Sequence, residues 1–100
     1  MKRLLAFLIL GASAGLAMAD QMTAMKSGCM GCHQPDRATV GPAMKDIAAK
    51  FKDEVDLDAL VTVVKAGKPA SDLVWGTTPM PPSPAPEADV RTVIEWMLTH

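Results

Sequence analysis

The stretch Cys29-Met30-Gly31-Cys32-His33 is a C-x-x-C-H sequence, and it decides the fold of this 100-residue chain. This is the pattern through which c-type haem is attached covalently. Two thiols at this spacing can add to the two vinyl groups on one porphyrin edge, and the adjacent histidine can place its imidazole beneath the iron. The motif therefore predicts one haem bound through Cys29 and Cys32, with His33 as an iron ligand.

A redox dithiol of the thioredoxin kind and half of a zinc site are the alternatives for the two cysteines. A thioredoxin-like motif lies in a βαβ setting, whereas this sequence shows no strand pattern. A zinc site needs further ligands, and the only other histidine is His100. The aromatic content of 4% also favours haem, because the macrocycle can fill a core that has few large side chains.

Apolar residues at helical spacing on both sides of the motif predict four short helices and no strand. We therefore expect an all-α fold of about four short helices around one covalent haem. The methionines on these helices are interpreted as packing residues, namely Met22, Met25, Met44 and Met97. The predicted helices cover residues 21–29, 44–51, 53–66 with Gly67 as C-cap, and 87–98 with Pro86 at the first helical position.

A stretch without helical or strand period, residues 67–86, separates the last two predicted helices and holds six of the eight prolines. So long and stiff a loop in a small domain usually serves a site. The second axial position of the iron could be taken by methionine, by histidine or by nothing. Met80 is the strongest candidate, because it lies off every helix between Pro79 and Pro81, on backbone that prolines hold rigid.

The N-terminus reads as an export signal. It has a basic start, an apolar run over residues 4–10 and the small-x-small sequence Ala17-Met18-Ala19, which together predict a secretory signal peptide over residues 1–19. Cleavage after Ala19 would leave a domain of residues 20–100. Loss of Lys2 and Arg3 leaves eight basic against eleven acidic residues, a net charge of −3 that does not suggest nucleic-acid binding. No later segment is apolar enough to span a membrane, so we expect a periplasmic protein.

The chain resembles the small bacterial class I cytochrome c family, which includes cytochrome c-551. The resemblance covers the whole predicted mature chain. It rests on five motifs in the family's order and near its spacings, namely Cys29 to His33, Val40-Gly41-Pro42-Ala43, Val74-Trp75-Gly76, Pro79-Met80-Pro81-Pro82 and Glu95-Trp96-Met97-Leu98.

The resemblance implies roles for individual residues. It implies that His33 and Met80 are the axial ligands and that the backbone carbonyl of Pro42 accepts the Nδ1 hydrogen of His33. It implies that Trp75 donates its indole hydrogen to a haem propionate, with simple coverage of the pocket as the alternative. Trp96 is expected to pack the last helix against the first.

Three departures from the family pattern concern the tuning of the haem rather than its presence. Ser83 stands where the family often has asparagine, and Val63 stands where relatives carry an arginine near a propionate. The stretch 67–75 is longer than usual. The family's tuning of the reduction potential is therefore not carried over to this chain.

The sequence thus predicts a mono-haem electron carrier and not an enzyme, because iron with both axial positions filled has no open site for a substrate. The alternatives are a gas-binding sensor or catalytic haem domain in which Met80 is displaceable, and the electron-transfer subunit of a larger oxidoreductase complex. The expected partners are redox proteins, with a quinol-oxidising complex as one possible donor and a terminal oxidase or reductase as one possible acceptor. We expect a monomer.

Overall fold

The computed structural model describes residues 19–53 and 56–100. Within these ranges there are four α-helices and no β-strand, which confirms the all-α prediction. The helices are α1 over residues 19–26, α2 Met44–Phe51, α3 Leu57–Ala66 and α4 Glu87–Met97, with short 3-10 turns at Cys29–Gly31 and Ala70–Asp72. The predicted signal peptide falls outside the described residues except for its last position, Ala19.

Helix α4 is the centre of the core, because it contributes to both buried clusters. The first cluster joins α4 to α1 and α2, and the second joins α4 to α3. The clusters consist of Ala24, Met44, Val93 and Met97, and of Val61, Ala85, Val90 and Ile94. Trp96 is partly buried and packs against the first cluster. The buried positions 90, 93, 94 and 97 recur at helical spacing, as the sequence predicts for this segment.

The predicted packing of the helical methionines is confirmed for Met44 and Met97 but is wrong for Met22 and Met25. The latter two are 67% and 60% exposed, whereas Ala24 is completely buried. A small residue lets α1 approach α4 closely, since the distance between packed helices depends on the side chains at the contact. The buried face of α1 is therefore marked by an alanine, and a search for large apolar residues selects the wrong face.

Two predicted helix starts also need correction. Helix α3 begins at Leu57 rather than near residue 53, because the Asp56 side chain accepts a hydrogen bond of 3.1 Å from the backbone N–H of Ala59 and caps the helix. Pro86 is the N-cap residue of α4 and not its first helical residue. The α3 C-cap is Gly67, with φ of 81°, as the sequence predicts.

An ion pair fixes α3 against α4 at the molecular surface. The guanidinium of Arg91 donates to the carboxylate of Asp58 and lies 3.9 Å from that of Glu87. The hydrogen bond to Asp58 raises the pKa of Arg91 above its ordinary value. This contact, together with the apolar cluster beneath it, sets the position of α3, from which the proline-rich loop departs.

Candidate functional site

A cavity of about 380 Å³ opens between the helices and the proline-rich loop. Its lining is largely apolar and comes from the turn after α1, from α2, α3 and α4, and from the loops between them. The structure brings together on this lining all six site residues that the sequence predicts, namely Cys29, Cys32, His33, Pro42, Trp75 and Met80. Residues up to 51 positions apart in sequence, from Cys29 to Met80, thus face one space.

The cysteines are presented by a tight turn directly after α1. Gly28 has φ of 81° and ψ of 2°, a left-handed conformation that ends the helix, and a 3-10 turn follows from Cys29 to Gly31. The backbone N–H of His33 donates to the Cys29 carbonyl at 2.9 Å, which closes the turn. Both thiols are free, and burial raises the pKa of the Cys29 thiol, with the neighbouring Cys32 raising it further.

The His33 imidazole is buried and held in one orientation. Its Nδ1 lies 2.9 Å from the carbonyl oxygen of Pro42, the distance of a hydrogen bond. Because proline has no N–H and this carbonyl can only accept, Nδ1 carries the hydrogen. The imidazole is thereby fixed in the tautomer that leaves Nε2 with a free lone pair, the form in which histidine binds a metal.

Gly41 positions His33 in a way that sequence reasoning missed. A Cβ on Gly41 would lie 2.6 Å from Cε1 and 2.9 Å from Nδ1 of His33, so only glycine allows the backbone this close to the ring. The Gly41 N–H and the Thr39 hydroxyl both donate to the Cys32 carbonyl, at 2.8 and 2.9 Å. The only sequence signal was a glycine next to Pro42, which does not reveal a contact with a residue eight positions away.

Met80 also lines the cavity and is held there by contacts from the end of α3. Its backbone pairs with Lys68 in both directions: the Lys68 N–H donates to the Met80 carbonyl at 2.8 Å, and the Met80 N–H donates to the Lys68 carbonyl at 3.0 Å. A Cβ on Gly67 would lie 2.8 Å from the Met80 carbonyl oxygen and 2.7 Å from the Pro82 nitrogen. Gly67 is therefore both the C-cap of α3 and the point of closest approach between the helix end and the Met80 segment.

Trp75 lies half-buried on the cavity lining and is packed against the end of α2. Its ring meets Phe51 edge-on at a centroid distance of 6.3 Å, and Lys50 Nζ lies 5.5 Å from the Trp75 centroid and 5.7 Å from that of Phe51. A cation at this distance from an indole face is attracted to the π-system. These contacts hold the Trp75 part of the loop against α2.

The departures from the family pattern have different surroundings. The Ser83 hydroxyl accepts from the Ala85 N–H at 3.3 Å, and the Ser83 N–H donates to the Val64 carbonyl at 3.1 Å, so this residue ties the loop to itself and to α3. Val63 lines the cavity and is 39% exposed. It brings no charge to the lining.

The chemistry of the donor set fits a covalently bound haem. An apolar macrocycle needs an apolar cavity, and the volume lies within the range of roughly 300–1,000 Å³ typical of cofactor sites. Two unpaired thiols and an imidazole with a free Nε2 converge on the same cavity, as attachment through C-x-x-C-H requires. The lining is therefore suited to a large apolar group with one metal centre.

Comparison with known proteins agrees with this interpretation. A family model described as Cytochrome c matches residues 19–100. Cytochrome c-551 of Allochromatium vinosum is 45% identical over 84 residues, which cover 82% of this chain and 86% of that protein. Cytochrome c-552 of Hydrogenobacter thermophilus is 35% identical over 100 residues, 99% of this chain and 98% of that protein. The crystal structure of wild-type Nitrosomonas europaea cytochrome c552 superimposes with a TM-score of 0.71 at 41% identity and covers 79% of this chain and 96% of that one.

Proposed function

Because the chain belongs to the cytochrome c family, we propose that it is a periplasmic carrier of single electrons whose haem iron is bound between His33 and Met80, and that it is not an enzyme. The family membership confirms the predicted class I fold and the single covalently bound haem c. The chain is thus a small c-type cytochrome that exchanges electrons with redox partners. The ligand set, the compartment and the absence of catalysis are the proposal.

One observation carries the ligand assignment. His33 and Met80 come from segments far apart in sequence and line the same cavity, which also receives Cys29 and Cys32. The hydrogen bond from Nδ1 to the Pro42 carbonyl leaves Nε2 of His33 as the nitrogen for the iron. We therefore assign His33 as the ligand on the cysteine side and Met80 as the ligand on the loop side.

The loop around Met80 supports its assignment on energetic grounds. A thioether is a weak ligand, so an ordering cost at binding would weaken it further. The backbone pairing with Lys68 and the flanking prolines fix the Met80 backbone in advance. Little conformational entropy then remains to be lost when the sulfur binds.

The proposed ligand set permits electron exchange at the iron but not binding of a substrate to it. When bound, haem supplies reversible one-electron exchange between Fe(III) and Fe(II). His33 and Met80 would hold the iron between them, which would leave no position for a substrate. The aliphatic lining excludes water and disfavours the more highly charged ferric state, which favours reduction. Trp75, held on the lining by Phe51 and Lys50, would donate its indole hydrogen to a haem carboxylate.

The N-terminus supports export to the periplasm. Residues 1–19 carry the basic start, apolar run and small-x-small pattern of a secretory signal, which would leave a domain of residues 20–100. None of the described helices has the length and apolar character needed to cross a bilayer. The exported domain is proposed to act as a monomer that takes electrons from a donor such as a quinol-oxidising complex and passes them to a terminal oxidase or reductase.

Two measurements on the exported protein test the proposal. Intact mass after denaturation is expected to equal the chain from Asp20 plus one haem, and a haem extracted by acid-acetone would contradict covalent attachment through Cys29 and Cys32. The ferric absorption spectrum is expected to show the weak far-red band of a sulfur-to-iron transition. We expect Met80→Ala to lose this band and the matched core variant Met44→Leu to keep it. Absence of the band from wild type, or its retention in Met80→Ala, would overturn Met80 as ligand without contradicting the fold or the family.

A further inference from the structure

Lys68 is the one lysine or arginine among the described residues that line the cavity, and no acidic residue of the described chain joins it there. It is half-buried and follows directly after Gly67, at the start of the proline-rich loop. Its backbone pairs with Met80 at 2.8 and 3.0 Å, so its position on the lining is set by the same contact that fixes the Met80 segment.

The haem that fills this cavity brings two propionate carboxylates. A carboxylate that leaves water is costly unless it gains a hydrogen-bonding or cationic partner. The vinyl edge of the macrocycle is held by Cys29 and Cys32, so the propionates must find their partners among other segments. Val63, one turn before the end of α3, lines the cavity without offering any charge.

The other nearby cations are engaged elsewhere. Lys65 Nζ donates to the Ala85 carbonyl at 2.5 Å, and the Arg91 guanidinium donates to Asp58. Lys50 Nζ lies over the rings of Phe51 and Trp75. The remaining basic residues of the described chain do not line the cavity, namely Lys26, Arg37, Lys45 and Lys52.

We propose that the ammonium group of Lys68 pairs with a haem propionate and thereby raises the reduction potential. Lys68 is a positioning residue with two separate parts: its backbone fixes Met80, and its side chain neutralises a carboxylate near the iron. A positive charge there disfavours the additional positive charge of the ferric state. This inference rests on the haem site proposed above and adds to it the residue that compensates one propionate.

The test is a charge series at position 68 in the haem-containing protein, measured by spectroelectrochemical titration at one pH and low ionic strength. Lys68→Met keeps most of the apolar stem and removes the charge, so the potential is expected to fall. Lys68→Glu is expected to lower the reduction potential further. Lys68→Arg keeps the positive charge and is expected to keep the wild-type potential. Lys52→Met is the matched control, because it removes the same charge from an exposed residue at the end of α2 that does not line the cavity.

Two results would overturn the proposal. Equal shifts in Lys68→Met and Lys52→Met would show that only net charge matters. A fall in Lys68→Arg as large as that in Lys68→Met would show that the side chain acts by packing. The ferric far-red band reports the Met80 site independently, so its retention in the series separates failure of this proposal from failure of the ligand assignment.

Discussion

The two sides of the cavity are built in different ways. The His33 side is local in sequence: the turn from Gly28 to His33 and the segment from Thr39 to Pro42 are joined by several hydrogen bonds within 15 residues. The Met80 side depends on contacts between the end of α3 and a loop segment twelve residues further on, namely the Lys68–Met80 pair and the close approach of Gly67. The first is a compact unit closed by hydrogen bonds between near neighbours, and the second is a long loop fastened to the helices only by contacts between residues distant in sequence.

This difference indicates which of the two proposed iron ligands, His33 or Met80, is more easily lost. His33 follows directly after Cys32, one of the two proposed attachment points of the haem, and has its ring fixed by Pro42 and Gly41. Met80 has no covalent neighbour, and its position depends on the end of α3. We therefore expect changes on the Met80 side to release a ligand, and changes on the His33 side to alter the strength of a ligand that stays bound.

The largest effect is expected for Gly67→Ala. The new Cβ would meet the backbone of Met80, Pro81 and Pro82 at 2.7–3.0 Å, and φ of 81° with ψ of 172° is open almost only to glycine. The free energy of unfolding is expected to fall by about 3 kcal/mol, with loss of the far-red band and a lower potential. Chemical denaturation and the ferric spectrum measure both effects.

Gly76→Ala is the matched control for this substitution. Gly76 lies in the same loop and also has a positive φ, of 65°, but a Cβ there meets nothing within 4 Å. Its expected cost is about 1 kcal/mol with the far-red band retained. Equal effects of the two substitutions would show that Gly67 contributes only through its backbone conformation.

The second largest effect is expected for Gly41→Ala, on the opposite side of the cavity. The added methyl group would displace the imidazole from the Pro42 carbonyl, because it would lie 2.6 Å from Cε1 of His33. We expect a loss of about 2 kcal/mol in stability, retention of the far-red band and a higher potential, since a less basic imidazole favours the ferric state less. The sign is opposite to that for Gly67→Ala.

Gly31→Ala serves as the control on this side, because a Cβ at Gly31 meets nothing within 4 Å. Its potential is expected to match wild type. A lower potential in Gly41→Ala would contradict the proposed difference between the His33 and Met80 sides. Both substitutions, Gly41→Ala and Gly67→Ala, would then act as if an iron ligand had been lost.

A smaller effect is expected for Trp75→Phe, which keeps a ring against Phe51 and Lys50 but removes the indole N–H. A half-buried propionate would lose a donor at a cost of about 1 kcal/mol, and the potential is expected to fall while haem and far-red band remain. Trp96→Phe, which changes a tryptophan packed against the first core cluster and absent from the cavity lining, is expected to leave the potential unchanged. A Trp75→Phe titration that superimposes on wild type would favour simple coverage of the pocket.

The parts of the site that could be predicted from sequence are those encoded in short motifs. C-x-x-C-H places both thiols and His33 within five residues, and the prolines around Met80 mark it as different from the helical methionines. Local helical spacing gave the bounds of α2 and the buried face of α4 correctly. In these cases neighbouring residues contain all the information that the structure uses.

The parts that could not be predicted depend on contacts between distant residues. Gly67 is recognisable as a C-cap, but its approach to Pro82 involves a segment fifteen positions away. Met22 and Met25 are exposed because α1 turns Ala24, rather than a methionine, toward the core. Ranking residues by hydrophobicity does not predict that the alanine face is the buried one. Several acidic residues precede Leu57, and any of them could cap a helix. In the structure it is the Asp56 side chain that accepts a hydrogen bond from the Ala59 N–H, so α3 begins at Leu57.

The most direct test of Met80 as a ligand that stays on the iron is carbon monoxide binding to the ferrous protein. Wild type is expected to resist carbon monoxide because the sixth position is filled, and Met80→Ala is expected to bind it readily, with Met44→Leu and Met97→Leu behaving like wild type because these residues lie in the core. If wild-type ferrous protein binds carbon monoxide as readily as Met80→Ala does, the carrier account is contradicted and a gas-binding function takes its place.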